Sequence, residues 1–169
     1  WLAESFESKP ESMLKKLLGY ADQRIRLKAQ FELVKRGNLD ILIHIAENNL
    51  EPQLARIHAL WALGQMKERV SALLISRLPF SDELSEIRAQ SAKTAGELEA
   101  SSQVQTLIQL LQDESLRVRF MAGIALGKIG DPRAFNAVTR MLEENDDRDP
   151  YLRHAGVMAW LGMNDSVEL

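Results

Sequence analysis

Ile25-Arg26-Leu27-Lys28-Ala29 returns four more times in altered spelling, as Ala55-Arg56-Ile57-His58-Ala59, Ile87-Arg88-Ala89-Gln90-Ser91, Val118-Arg119-Phe120-Met121-Ala122 and Leu152-Arg153-His154-Ala155-Gly156. The arginines stand 30, 32, 31 and 34 residues apart. Three residues after each comes a small side chain (Ala29, Ala59, Ser91, Ala122 or Gly156), and seven after it Leu33, Leu63, Ala95, Leu126 or Trp160. Those offsets keep side chains on one face of an α-helix, and small residues there let neighbouring axes close to about 8–10 Å. Gly37, Gly64, Gly96, Gly127 or Gly130, and Gly162 fall near the ends of these runs, where glycine can close a helix in the left-handed conformation.

Shorter apolar stretches with helical periodicity separate the arginine-bearing runs. Residues 39–46 follow Asn38, a candidate N-cap, and residues 70–78 end at Pro79. Residues 104–111 open with Ser102-Gln103-Val104-Gln105, a capping-box pattern, and residues 134–142 follow Asp131-Pro132, a cap and then a proline at the first helical position. Asp149-Pro150 does the same for the last arginine-bearing helix. Nothing alternates with period two over a useful length, so no strands are predicted. A recurrence near thirty residues made of two helices marks a stacked repeat. The fold class is therefore all-α: an α-solenoid of about five antiparallel helix pairs without β-strands. It is organised as one domain over residues 1–169, with an irregular tail (1–9), a leading helix (10–20) and repeats at about 22–48, 51–79, 82–112, 113–143 and, in part, 149–163.

The composition fits. With 46% hydrophobic and 27% charged residues the chain reads as an ordinary globular one rather than a disordered one. It holds no Cys, which excludes disulfides, thiolate metal sites and cysteine nucleophiles. A formal net charge of −3 argues against a nucleic-acid role driven by phosphate neutralisation. No run of 18 apolar residues suggests membrane insertion, and the opening stretch lacks the pattern of a signal peptide. The chain begins at Trp1 rather than Met, and Asn164 to Leu169 stops where another helix could begin, so it reads as a fragment of a larger protein.

The repeated residues resemble HEAT repeats of the short variety found in phycobilisome lyases, over roughly residues 22–162. The resemblance implies a ladder between adjacent repeats formed by an Asp and an Arg six residues apart, here Asp82/Arg88, Asp113/Arg119 and Asp147/Arg153. A carboxylate beside a guanidinium makes charge-assisted bonds that fix stacking geometry. The first two repeats carry Tyr20 and Leu50 at the Asp position, which leaves their rungs open. Residues 56–64 and 144–160 are further similar to the HEAT segment of large planctomycete proteins that join a sugar-dehydrogenase-like β-propeller to a c-type cytochrome domain. That likeness implies an exported multidomain redox protein, periplasmic or extracellular, with this stretch as its spacer or docking part.

Convergent reactive groups are hard to find. His44, His58 and His154 have no second histidine or Cys at ligand spacing, and read as packing or inter-repeat residues. The acidic run 143–149 lacks the turn glycine and terminal Glu of a calcium loop, so Asp149 reads as a helix cap and Asp147 as a ladder acid. Trp61 and Trp160 read as core, and Trp1 as an opportunistic contact at the chain end. The second helices of such repeats line a concave face, here offering His44, Arg69, Arg77, Gln105, Gln109, Arg133, Asn136 and Arg140 in a mixed strip suited to protein contact. The expected function is a non-catalytic scaffold or spacer, with no cofactor, whose partner is a protein or the flanking domains of its own chain. Two enzyme classes on similar scaffolds stand as alternatives, a bilin lyase or isomerase and a DNA glycosylase.

Overall fold

The computed structural model describes residues 1–165, excluding the side chain of Asp165; the expectation for residues 166–169 lies outside them. Ten α-helices occur among the described residues, and no strand. They are α1 (Glu11–Leu17), α2 (Gln23–Arg36), α3 (Leu39–Glu47), α4 (Gln53–Gly64), α5 (Ala72–Ile75), α6 (Ser85–Glu97), α7 (Val104–Leu110), α8 (Leu116–Ile129), α9 (Phe135–Asn145) and α10 (Pro150–Asp165). Single 3-10 turns precede α5, α7 and α9, at Lys67–Arg69, Ser101–Gln103 and Pro132–Ala134. The helices group into two compact units that meet in sequence between Pro79 and Phe80. The fold is the helical-repeat class expected from the period: within each unit a long arginine-bearing helix packs on its neighbour of the same kind and on a shorter companion.

In the first unit, α2 packs on α1 and α4, and α4 also on α3. Leu14, Ile25, Leu33, Leu42, Ile45 and Leu60 are buried between them. Asp22 caps α2 by accepting the Arg24 amide at 2.9 Å, and Gly37 closes it at φ 75°. The irregular tail is tied to α2: Lys28 donates to the carbonyls of Leu2 (3.0 Å) and Glu4 (2.7 Å), and Arg36 to those of Phe6, Glu7 and Lys9. Phe6 is buried under this strap. Residues 70–78 do not form the long helix expected. Only Ala72–Ile75 is helical, because the Ser76 hydroxyl bonds back to the Leu73 carbonyl and Pro79 bars Leu78 from helical geometry.

In the second unit, α8 packs on α6 and α10, with α7 and α9 as companions to α8 and α10. The expected small positions are buried throughout: Ala29, Ala59, Ser91 and Ala122 are fully covered, and Gly156 is buried. Of the glycines expected at helix ends, only Gly37 and Gly130 take positive φ. Gly96, Gly127 and Gly162 lie inside helices and serve close approach instead. A Cβ on Gly96 would stand 2.9 Å from the Ala125 methyl, and one on Gly162 would collide with the Gly127 carbonyl. Two expected caps are also replaced. Asn38 makes no cap bond and gives its amide to Glu11 at 2.6 Å, while residues 101–103 form a 3-10 turn in place of the capping box. Asp149 caps α10 as expected, accepting from the amides of Tyr151 (2.8 Å) and Leu152 (3.0 Å).

Candidate functional site

The repeated arginine occupies the fourth residue of α2, α4, α6, α8 and α10 alike. A side chain there points back over the first turn, so its guanidinium meets the connection that leads into its own helix. Arg26 donates through Nη1 to the carbonyls of Tyr20 (2.7 Å) and Ala21 (2.8 Å), and Arg88 in the same way to those of Asp82 (2.8 Å) and Glu83 (3.2 Å). Backbone carbonyls serve at this position whatever the side chain, which is why Tyr20 can stand where another repeat has Asp.

The remaining guanidinium edge turns to the next repeat. Arg88 grips the Asp113 carboxylate through Nε (2.7 Å) and Nη2 (2.9 Å), a buried guanidinium against a partly buried carboxylate, and this bidentate contact holds the Asp113 carboxyl below its ordinary pKa. Asp82 accepts the Leu84 amide at 3.0 Å. Arg56, almost fully buried, donates Nε to the Ala46 carbonyl at 3.0 Å. Arg26 meets a histidine: its Nε lies 2.9 Å from His58 Nε2, and His58 Nδ1 lies 2.7 Å from Gln30 Oε1. Since Arg26 can only donate, Nε2 is the bare nitrogen and the proton sits on Nδ1, donated to Gln30. Burial, reinforced by the Arg26 charge, pushes the His58 pKa down from 6.5 to about 4. The Trp61 ring packs edge-on against it at 4.9 Å.

Sequence reasoning reads His58 as a packing or inter-repeat hydrogen-bond residue without naming its partners, which a register rule could have found. The residue two after one arginine meets the residue four after the preceding one, as His58 meets Gln30 and Ala155 meets Gly123. Six after one likewise meets eight after the other, as Ala125 meets Gly96 and Ala159 meets Gly127.

Arg119 departs from the pattern. Its Nε is buried without a hydrogen-bond acceptor among the described residues. The expected pair Asp147/Arg153 does meet, at 3.3 Å with both side chains exposed, but within one repeat rather than between two. The cause is local: Asp146 and Asp147 both take positive φ (46° and 55°) in the turn between α9 and α10. Arg119 lines a cleft of about 350 Å³ with Leu116, Glu144, Arg148 and Leu152. A second cleft, of about 440 Å³, adjoins it through Leu116 and Asp149 and is walled by Phe120 and Tyr151.

The eight surface residues are all exposed. His44, Arg69 and Arg77 belong to the first unit, where Arg77 pairs with Glu47 through both guanidinium edges (2.5 and 3.1 Å). Gln105, Gln109, Arg133, Asn136 and Arg140 belong to the second, where Arg133 is folded onto Asp131 at 2.6 Å. Arg69 and Arg133 sit in 3-10 turns rather than on helices. His154 is exposed on α10, and the two tryptophans expected in the core are only partly covered. Trp160 stacks on Phe135 at 5.9 Å with its indole nitrogen unpartnered among the described residues. No group of three or more His, Asp or Glu is placed to hold a metal ion among the described residues, and none of their helices is long and apolar enough to cross a membrane.

A family profile described as HEAT repeats matches residues 71–160, more than half of the chain. The chain belongs to the HEAT-repeat family. No curated protein matches this HEAT chain in sequence. Among solved structures it is similar to the complex of CpcE and CpcF of phycocyanin lyase from Nostoc sp. PCC7120, with a TM-score of 0.69 and 19% identity over 96% of this chain and 68% of that one. It is also similar to human deoxyhypusine hydroxylase, at TM-score 0.61 and 17% identity over 92% of this chain and 62% of that one. An engineered protein aligns at TM-score 0.58 and 17% identity, over 97% of this chain and 87% of that one. At these identities the likeness is one of fold.

Proposed function

We propose that this run of HEAT repeats is a non-catalytic scaffold that binds a protein partner or holds flanking domains of its own chain. The observation that carries the reading is how the strongest polar geometry is used. Arg26, Gln30, His58, Arg88 and Asp113 join one repeat to the next, while the exposed side chains of α7 and α9 face solvent on rigid helices. The wider setting proposed is a larger exported redox protein, supported by the sequence likeness of residues 56–64 and 144–160. Photo-crosslinking tests it: a photoreactive residue at Gln109 or Asn136 in the full-length protein is expected to capture one defined partner or flanking segment. Equal, unselective adducts from Leu50, which is 89% exposed, would refute it.

The likeness to a phycocyanin lyase complex supports a second reading, in which the chain handles a bilin. A coloured, red-shifted adduct after incubation with phycocyanobilin would favour it over the scaffold; an unchanged spectrum would set it aside.

A further inference from the structure

We infer that the Arg119 cleft receives the carboxylate of an acidic residue in a protein partner, with an apolar side chain next to that residue seated in the adjoining cleft against Phe120 and Tyr151. This rests on the scaffold reading and names the chemistry of its partner.

Three other guanidiniums at the same helical position each donate Nε to an acceptor: His58 Nε2 at 2.9 Å, the Ala46 carbonyl at 3.0 Å and the Asp113 carboxylate at 2.7 Å. Arg119 Nε is covered, on a side chain that is itself only half-buried, and meets none among the described residues. A buried donor left unmade costs about 1–3 kcal/mol, and more when charged, so the site favours any acceptor that can reach it. Arg88 shows within this chain what fits there, a carboxylate taken bidentately by the Nε–Nη2 edge. Arg148 lines the same cleft, its charge held at the wall by bonds from Nε and Nη2 to the Asn145 (3.2 Å) and Glu144 (2.5 Å) carbonyls.

The surroundings narrow the ligand. Glu144 and Asp149 also line the cleft, so a multiply charged anion such as a phosphodiester chain is repelled, whereas one carboxylate can be neutralised by two guanidiniums. The adjoining cleft is aromatic: Phe120 and Tyr151 stand edge to face at 6.3 Å, and Leu116 and Tyr151 are 49% and 71% exposed. A carboxylate with an aromatic or aliphatic neighbour in the same peptide fills both.

The test is a titration of the uniformly ¹⁵N-labelled chain with the capped peptide acetyl-Gly-Asp-Phe-Gly-amide, reading the Arg119 Nε–H resonance, assigned by its loss in Arg119→Gln. The expected result is a saturating shift with a dissociation constant of about 1 mM, the scale for one anchored contact. Arg119→Gln and Tyr151→Ser weaken binding, read at the Leu116 and Phe120 amides, by tenfold or more and severalfold respectively. Glu144→Gln strengthens it by removing a like charge. The same peptide with Asn for Asp leaves the resonance in place, and free acetate moves it only at far higher concentration. The inference is overturned by no shift, by an equal shift from the Asn peptide, or by acetate matching the Asp peptide, which would make this a simple ion site. It is also overturned if Asp147→Asn moves the Arg119 resonance in the free chain, since the acceptor would then be internal. A partner crosslinked at Gln109 whose binding leaves Arg119 unmoved would overturn this inference and keep the scaffold.

Discussion

Acidification between pH 6.5 and 4 should loosen the first unit through one proton, the one that His58 cannot accept while folded. In the fold, His58 Nε2 is occupied by the Arg26 Nε–H and Nδ1 carries the proton given to Gln30. Protonating the ring would set a second donor against a guanidinium in a site where His58 is 1% exposed. Its pKa is accordingly pushed from 6.5 to about 4, by burial first and the Arg26 charge second. The unfolded chain binds the proton near 6.5, so in this window the unfolded state holds more protons and stability rises with pH. The contribution is complete above about pH 6.5 and lost as pH falls towards 4. At about 1.4 kcal/mol for each tenfold loss of proton affinity it amounts to roughly 3 kcal/mol. Urea unfolding at pH 7.5, 6, 5 and 4.5, followed by Trp61 fluorescence with Trp1 and Trp160 replaced by Phe, should show this slope. His58→Gln, which keeps an acceptor and a donor but cannot titrate, should lose it. Ring NMR should report a neutral His58 with its proton on Nδ1 down to about pH 4. A His58 that titrates near 6.5, or a slope unchanged in His58→Gln, would refute the Arg26–His58–Gln30 arrangement.

Arg88 and Arg119, both in the second unit, should respond differently to truncation. Arg88→Met leaves the partly buried Asp113 carboxylate without its guanidinium and should cost about 2 kcal/mol or more in urea unfolding, whereas Arg119→Met removes an unmet donor and should stay within about 1 kcal/mol. The Asp113 contribution, with its carboxyl held below 3.8, should be present above that pH and vanish as pH falls through its folded value, so Asp113→Asn and the parent chain converge in acid. Gly162→Ala forces a methyl against the Gly127 carbonyl between α10 and α8, and should cost more than the roughly 1–3 kcal/mol typical of overpacking unless the helices part. Gly130→Ala, strained only by its φ of 68°, should cost about 1 kcal/mol; equal melting temperatures for the two variants would contradict the close approach.

The period, the arginine position and the small residue three places on were legible because they are properties of a single helix face, which sequence spacing records directly. Helix ends were less so. Asn38, Ser102 and most of the glycines sit where caps belong, yet Asn38 is claimed by Glu11 and Gly96, Gly127 and Gly162 by a neighbouring helix. These are competitions between distant groups, and local pattern does not register them. The ladder was legible only in half. A motif of Asp six residues before Arg names both partners, but it cannot show that Arg119 and Asp147 fail to meet, because that depends on two left-handed residues in one connection.

The different fates of Arg26, Arg88 and Arg119 follow from two sources of acceptor. One is the connection before the next long helix, which gives Asp113 to Arg88. The other is the side chain two residues after the next arginine, which gives His58 to Arg26. Only a long polar residue can act from the second position, and choosing one forgoes the close packing that a small residue allows there. In the second unit this position holds Met121 and Ala155, and Ala155 instead lets α10 settle against Gly123, with a Cβ on that glycine 3.0 Å from the Ala155 methyl. The Arg88 rung survives that choice because the short turn after α7 delivers Asp113. The Arg119 rung does not, because the left-handed turn after α9 carries Asp147 to Arg153. Tight α8–α10 packing combined with a left-handed turn after α9 therefore leaves one guanidinium Nε without an acceptor among the described residues. Inserting an acceptor at the second position, as Ala155→His, should draw on Arg119 as His58 draws on Arg26, and should prise α10 from Gly123 in doing so.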